Sequence, residues 1–237
     1  MEKVAIKVVA AAALLALVSA PAVRAADATV GVDVNSAYVF RGVTLNEGFV
    51  AQPYLEVSGL PIDIGVWGNF DIEDDDARSV DGGQFSETDF YGSYSLPVEE
   101  VDVSIGYTEY TYNNGDLDAD REISLSFGLD TVLAPSLGIF YGLDGGIEED
   151  FYAELSVGHD IALSEDLGLS LGALIGYKDP GADGTESGLH QYALSAGLSY
   201  EFVSLGVTYY GQADDDVLTD EAYDVEVVGT LGLSHSF

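Results

Sequence analysis

The sequence predicts an all-β fold: a single transmembrane, antiparallel, up-and-down β-barrel of about 12 strands after a cleaved signal peptide. Three observations predict it. Apolar residues recur at every second position along most of the chain. The N-terminus reads as an export leader. No apolar run after that leader is long enough for a membrane helix.

Lys3 and Lys7 give the leader a basic start, Val8 to Ala20 form its apolar run, and Pro21 and small residues follow. The run is shorter than the roughly 20 residues a spanning helix needs. Cleavage is expected after Ala25, which divides the chain into a signal peptide, 1–25, and an outer-membrane barrel, 26–237.

Within the barrel region the period is two. Val30, Val32 and Val34 alternate with small or polar residues, as do Ile62, Ile64 and Val66, and Ile123, Leu125, Phe127 and Leu129. Leu167, Leu169 and Leu171 repeat the pattern, and Leu231 and Leu233 carry it towards Phe237. Residues two apart share one face of a strand, whereas a helix would space them by three and four. The expected strands are 29–41, 50–58, 62–71, 87–96, 101–112, 121–130, 137–144, 151–162, 167–177, 190–201, 203–212 and 224–237. Short turns alternate with longer, mostly acidic loops, which places both termini at the short-turn, periplasmic end. Phe237 falls on the apolar register of the last strand and is expected to serve as the barrel insertion signal.

A soluble β-sandwich would share the short alternating strands. Its core would have to be dry, and the alternate face here is rich in Gly, Ser and charge. Tyr38, Tyr94, Tyr107, Tyr177, Tyr200 and Tyr209 fall near strand ends, as in the aromatic girdles of membrane barrels.

The full chain has 7 bases against 42 acids, a formal charge of −35. Outside the leader only Arg41, Arg78, Arg121 and Lys178 remain as bases. This excludes nucleic acid as a partner, because phosphate must be met by basic patches. The chain has no cysteine, so it has neither a disulfide framework nor a thiolate metal site. Disorder, the usual companion of strong acidity, is opposed by 11% aromatic content and by the periodic apolar face.

The stretch from Ser36 to Gly59, SAYVFRGVTLNEGFVAQPYLEVSG, resembles the opening of the TorF-type porin family of proteobacterial outer-membrane β-barrels. Ser36, Tyr38, Phe40, Arg41 and Gly42 match its Ser-x-Tyr-x-Phe-Arg-Gly element, and Gly65, Trp67 and Gly68 match its Gly-x-Trp-Gly strand. The resemblance implies an outer-membrane barrel that forms a pore, with no substrate specified.

If the apolar residues face lipid, the alternates face the lumen. The expected pore-lining residues are Asp33, Arg41, Glu56, Asp63, Asp89, Asp102, Glu122, Glu154, Asp160, Glu201 and Glu226. Small neighbours such as Ser104, Ser124, Ser156, Gly172 and Gly197 leave room for water. Acidic rings favour cations, so the expected function is passive diffusion of small solutes with cations preferred. The competing expectation is a lumen plugged by side chains and loops, giving a structural or surface barrel without transport. Arg41 is expected to be the only inward base, tying carboxylates together in the wall.

The acidic loops 71–76, 116–120 and 214–216 are oxygen-rich. Asp116, Asp118 and Asp120 fit the first positions of a calcium loop, but Arg121 stands where glycine is required and Phe127 where glutamate is required. No metal and no cofactor is therefore assigned. A lipid-modifying enzyme would need a nucleophile, base and orienter within reach. His159 and His235 fall on the apolar face, and His190 lies at a strand start, with no His-x-Ser pair. The chain is read as not an enzyme. The expected partners are outer-membrane lipids, lipopolysaccharide, the barrel-assembly machinery and small solutes.

Overall fold

The computed structural model describes residues 26–113, 117–181 and 186–237. The expected leader, 1–25, and Asp116 of the rejected calcium loop lie outside the described residues.

Among the described residues fourteen strands form in chain order: β1 (Asp27–Asn35), β2 (Tyr38–Phe40), β3 (Val43–Asn46), β4 (Val50–Ser58), β5 (Asp63–Asp71), β6 (Gln84–Leu96) and β7 (Asp102–Tyr112). There follow β8 (Asp120–Gly128), β9 (Ser136–Asp144), β10 (Phe151–Ala162), β11 (Leu167–Asp179), β12 (Gly188–Tyr200), β13 (Val203–Gln212) and β14 (Val227–Ser236). Twelve of them close into an antiparallel barrel, because β1 pairs with β14 on one side and with β4 on the other. Closure leaves no free edge and satisfies every ladder strand to strand, which is what a hydrocarbon surround requires.

The connections sort by end. The connections after β1, β5, β7, β9, β11 and β13 leave the ladder at one end; the turns 59–62, 97–101, 129–135, 163–166 and 201–202 lie at the other. This is the long-loop and short-turn division of an up-and-down barrel.

The two faces of the wall differ as the alternation requires. Val30, Leu55, Ile64, Phe90, Ile105, Ile123, Leu137, Leu155, Leu171, Leu194, Leu205 and Leu231, one from each barrel strand, are all exposed on the outside. A continuous apolar belt of this extent is foreign to a water-facing surface and matches a lipid-facing one. Tyr94, Tyr107, Tyr177, Tyr200 and Tyr209 share this outer register. Inside, a polar girdle crosses four strand boundaries. Thr230 Oγ1 donates to Asn35 Oδ1 (2.6 Å), Asn35 Nδ2 to Gln52 Oε1 (2.7 Å), Gln52 Nε2 to Asn69 Oδ1 (3.0 Å) and Asn69 Nδ2 to Ser86 Oγ (3.0 Å). Lower in the wall the Tyr91 ring lies across Gly65, its cross-strand partner, where any Cβ would collide with it. Such aromatic cover of a glycine pins the β5–β6 register.

The first expected strand, 29–41, is corrected. β1 ends at Asn35, and Tyr38–Phe40 pairs with Val43–Asn46 as a separate two-stranded sheet. Arg41 and Gly42 form the two-residue tip, both with positive φ (50° and 81°). That is the backbone requirement of a type I′ hairpin turn, which suits the right-handed twist of the flanking strands. Gly42 meets it without a Cβ penalty and lies against Gln191 and Leu218, while Arg41 is held there by its side chain.

Candidate functional site: an inward hairpin

The β2–β3 hairpin folds into the barrel instead of extending the wall. Ala37, Tyr38, Thr44 and Asn46 are buried, and their neighbours come from strands all around the lumen. Tyr38 Oη donates to Glu87 Oε2 on β6 (2.8 Å), and its ring stands 5.6 Å from that of Trp67 on β5. Arg41 makes a bidentate pair with Glu122 on β8, Nη1 to Oε2 at 2.8 Å and Nη2 to Oε1 at 2.9 Å. The Tyr110 hydroxyl on β7 also donates to Glu122 (3.1 Å). The guanidinium lies 4.8 Å from the Phe40 ring and 4.4 Å from both Phe140 on β9 and Tyr152 on β10. Gln191 on β12 donates to the Tyr152 hydroxyl (3.0 Å).

The ion pair is largely hidden, with side-chain exposures of 19% for Arg41 and 5% for Glu122. Both Glu122 oxygens are satisfied, and the cation has aromatic faces where water would otherwise stand. These are the conditions under which a buried charge pair holds.

A second cluster ties the hairpin base to the long-loop rim. Arg78 Nε donates to Thr44 O (2.9 Å), and its guanidinium pairs with Glu47, Asp75 (3.2 Å) and Asp224 (2.8 Å). Thr44 Oγ1 accepts from the backbone N–H groups of Asp224 and Val225, and Asp75 Oδ2 from that of Glu47. Burial works to raise the Asp75 carboxyl, but the N–H groups of Glu47 and Arg78 and the Arg78 guanidinium outweigh it and hold the carboxyl below its ordinary value. The Arg78 hydrogen bond likewise lowers Asp224. Both carboxyls are thus lowered on folding. Their contribution is complete above the unfolded value of about 4 and fades as pH falls through the lowered folded values. Amide-exchange protection at Glu47, Asp224 and Val225, taken relative to the intrinsic rate at each pH, is expected to fall on acidification through that range, ahead of protection in the wall strands. A parallel loss of protection in rim and wall would contradict this.

The inward carboxylates fall into place strand by strand. Asp33, Glu56, Asp63, Asp89, Asp102, Glu122, Glu154 and Asp160 all sit on the inner register. Glu56 accepts from Tyr91 Oη (2.7 Å) and Glu154 from Tyr152 Oη (3.1 Å). Four expectations are corrected. Arg41 lies at the hairpin tip and not in the wall, since the wall strand stops at Asn35. Glu201 occupies the 201–202 turn with φ of 50°. Glu226 is not among these: it lies one residue before β14, where its carbonyl still accepts from the Tyr210 N–H (2.7 Å), and it is exposed. Tyr38 belongs to the lumen and not to the girdle, because its strand turned inward. Arg41 is not the only inward base: Lys178 shares the inner register of β11 near the rim and pairs with Asp150 (3.3 Å).

Of the histidines, His159 Nδ1 contacts Val132 O (2.8 Å), and the His235 ring stands 4.7 Å from that of Phe237. His190 is buried, and neither ring nitrogen has a hydrogen-bond partner. The side-chain oxygens of Asp214, Asp215 and Asp216 lie within 4.8 Å of one another, all three residues exposed, an arrangement that exposed acids commonly show without an ion. Phe237 is exposed, and its N–H closes onto Ala28 O (2.9 Å).

Comparison with known proteins fits this architecture. The model of the Gcw_chp family, described as a bacterial protein of unknown function, matches residues 20–226. The chain belongs to the Gcw_chp family. No curated protein matches it. Among solved structures, the Gcw_chp barrel is similar to the KdgM porin in complex with disordered oligogalacturonate, at 9% identity and a TM-score of 0.51, covering 89% of this chain and 99% of that one. It is also similar to an outer-membrane channel from Pseudomonas putida F1, at 10% identity and a TM-score of 0.50, covering 92% and 97%. At these identities the likeness is one of fold: a closed, twelve-stranded antiparallel barrel of the outer-membrane porin type.

Proposed function

We propose that this Gcw_chp barrel is an outer-membrane channel for passive diffusion of small solutes, with cations preferred and the β2–β3 hairpin as its constriction. The observation that carries the reading is the imbalance of charge on the inner register. The eight expected inward carboxylates, joined on the inner register by Asp71, Glu87 and Asp120, face a lumen whose bases, Arg41 and Lys178, are already committed to Glu122 and Asp150. Rings of acids select cations. Small inward residues on β11–β14, among them Ser170, Ser195, Gly197, Ser204 and Gly206, line a cavity of about 270 Å³ along the wall away from the Arg41 pair. Oligogalacturonate, captured in complex with KdgM, is a polyanion, and an acid-lined lumen opposes carrying that ligand over.

The narrower TorF-type likeness, export behind a leader cleaved after Ala25, insertion by the barrel-assembly machinery and contact with lipopolysaccharide belong to the same reading. The deciding measurement is planar-bilayer conductance with a salt gradient. A reversal potential of the sign for cations is expected. Zero conductance would refute the channel and favour a plugged structural barrel, which the buried Arg41–Glu122 pair would equally serve; anion preference would refute the charge selectivity.

A further inference from the structure

Between the hairpin and the short-turn end lies a chamber of about 520 Å³, within the size range of small-molecule sites. Its walls join the underside of the hairpin to β1, β4–β7, β13 and β14. The chemistry of the lining is one-sided. It holds two carboxylates, Asp33 and Asp89, and no base. Aromatic faces come from Tyr38, Phe40, Trp67 and Tyr91.

Asp89 is the unusual member. It is 7% exposed, and its Oδ1 has no hydrogen-bond partner. Glu87, two residues earlier on the same face of β6, adds a like charge, although its Oε2 is occupied by Tyr38. A buried carboxylate oxygen without a donor is costly, and a cation bearing N–H groups would remove that cost. Aromatic faces around the same space attract the same charge through their quadrupoles and cover an alkyl body.

We propose that this chamber binds a small primary organic ammonium ion, its N–H groups donating to Asp89 and its alkyl chain lying against Trp67 and Tyr91. The proposal rests on the cation-preferring reading above and gives it a ligand class. Sodium or potassium would satisfy the charge but would leave the aromatic lining unused.

Trp67 lines the chamber and is the only tryptophan in the chain, so its emission reports occupancy directly. The test is a titration of the detergent-solubilised full chain with butylammonium chloride, followed by fluorescence and calorimetry. Sodium chloride and tetramethylammonium chloride at equal ionic strength serve as references. A saturable Trp67 response and heat are expected with butylammonium, absent with sodium and about tenfold weaker with tetramethylammonium, which lacks the N–H donor. Asp89→Asn is expected to weaken butylammonium binding by about tenfold or more. The comparison of the two ammonium ions on the unaltered chain stands even where that variant fails to fold. No saturable response, an equal response to sodium, or tetramethylammonium binding as tightly would overturn the proposal. So would a folded Asp89→Asn that binds unchanged. Binding without bilayer conductance would support the site and sink the channel; cation conductance without binding would sink the site and leave the channel standing.

Discussion

Arg41→Met is expected to release the hairpin from the lumen and raise single-channel conductance several-fold. The substitution keeps the apolar stem against Phe140 and Tyr152 but removes the cation. Glu122, 5% exposed, is then left with only the Tyr110 hydroxyl. Removing one partner of a buried pair costs about 3–5 kcal/mol, because the remaining charge is stranded. That cost falls on the docked state of the hairpin and not on the barrel ladder, which the hairpin does not join. Tyr38 should leave Trp67, so the emission of Trp67 should shift together with the conductance. Glu122→Gln is the milder change, since an amide oxygen can still accept from Arg41. Unchanged conductance and emission in Arg41→Met would mean that the Arg78 cluster alone holds the hairpin in place.

The second large effect is on insertion. Leu155→Arg should destabilise the barrel in lipid by about 2–4 kcal/mol, the range for a cation on the lipid face near the bilayer midplane. Leu155 is 53% exposed on the outer register of β10, between Leu137 and Ile175. Ser156→Arg, one residue along, turns to the lumen and should cost far less, because water and inward carboxylates are available there. Urea titrations of both variants folded in vesicles measure the difference. Equal losses, or a larger loss for Ser156→Arg, would reverse the assignment of faces. The pair separates a membrane barrel from any soluble β-fold, whose exposed leucines tolerate charge.

The wall was legible because burial in lipid imposes a strict period of two on every strand. Spans such as 50–58, 151–162 and 203–212 coincide with β4, β10 and β13. The hairpin was not legible by that signal. Residues 36–46 continue the alternation of β1, and an inward hairpin is as extended as a wall strand. The cue present in the sequence was the Arg41–Gly42 pair between Phe40 and Val43, a two-residue turn flanked by apolar residues. The pairing of Arg41 with a carboxylate followed from charge alone, yet its partner and place did not, because both depend on the chain leaving the wall. Glu201 was assigned inward by extending the register past the strand end, where turn geometry replaces the pleat.

The contacts of the hairpin also order events in time. Tyr38 waits for Glu87, Arg41 for Glu122, and Thr44 for Ala222 near the far end of the chain. Each joins segments far apart in sequence, so each carries a loop-closure cost that neighbouring strands do not. The early segment Tyr38–Asn46 can therefore complete its native contacts only once β6, β8 and the last loop are in place. Refolding into lipid should then proceed in two stages, with ladder formation first and the lumen narrowing last, from an open ring to a constricted one.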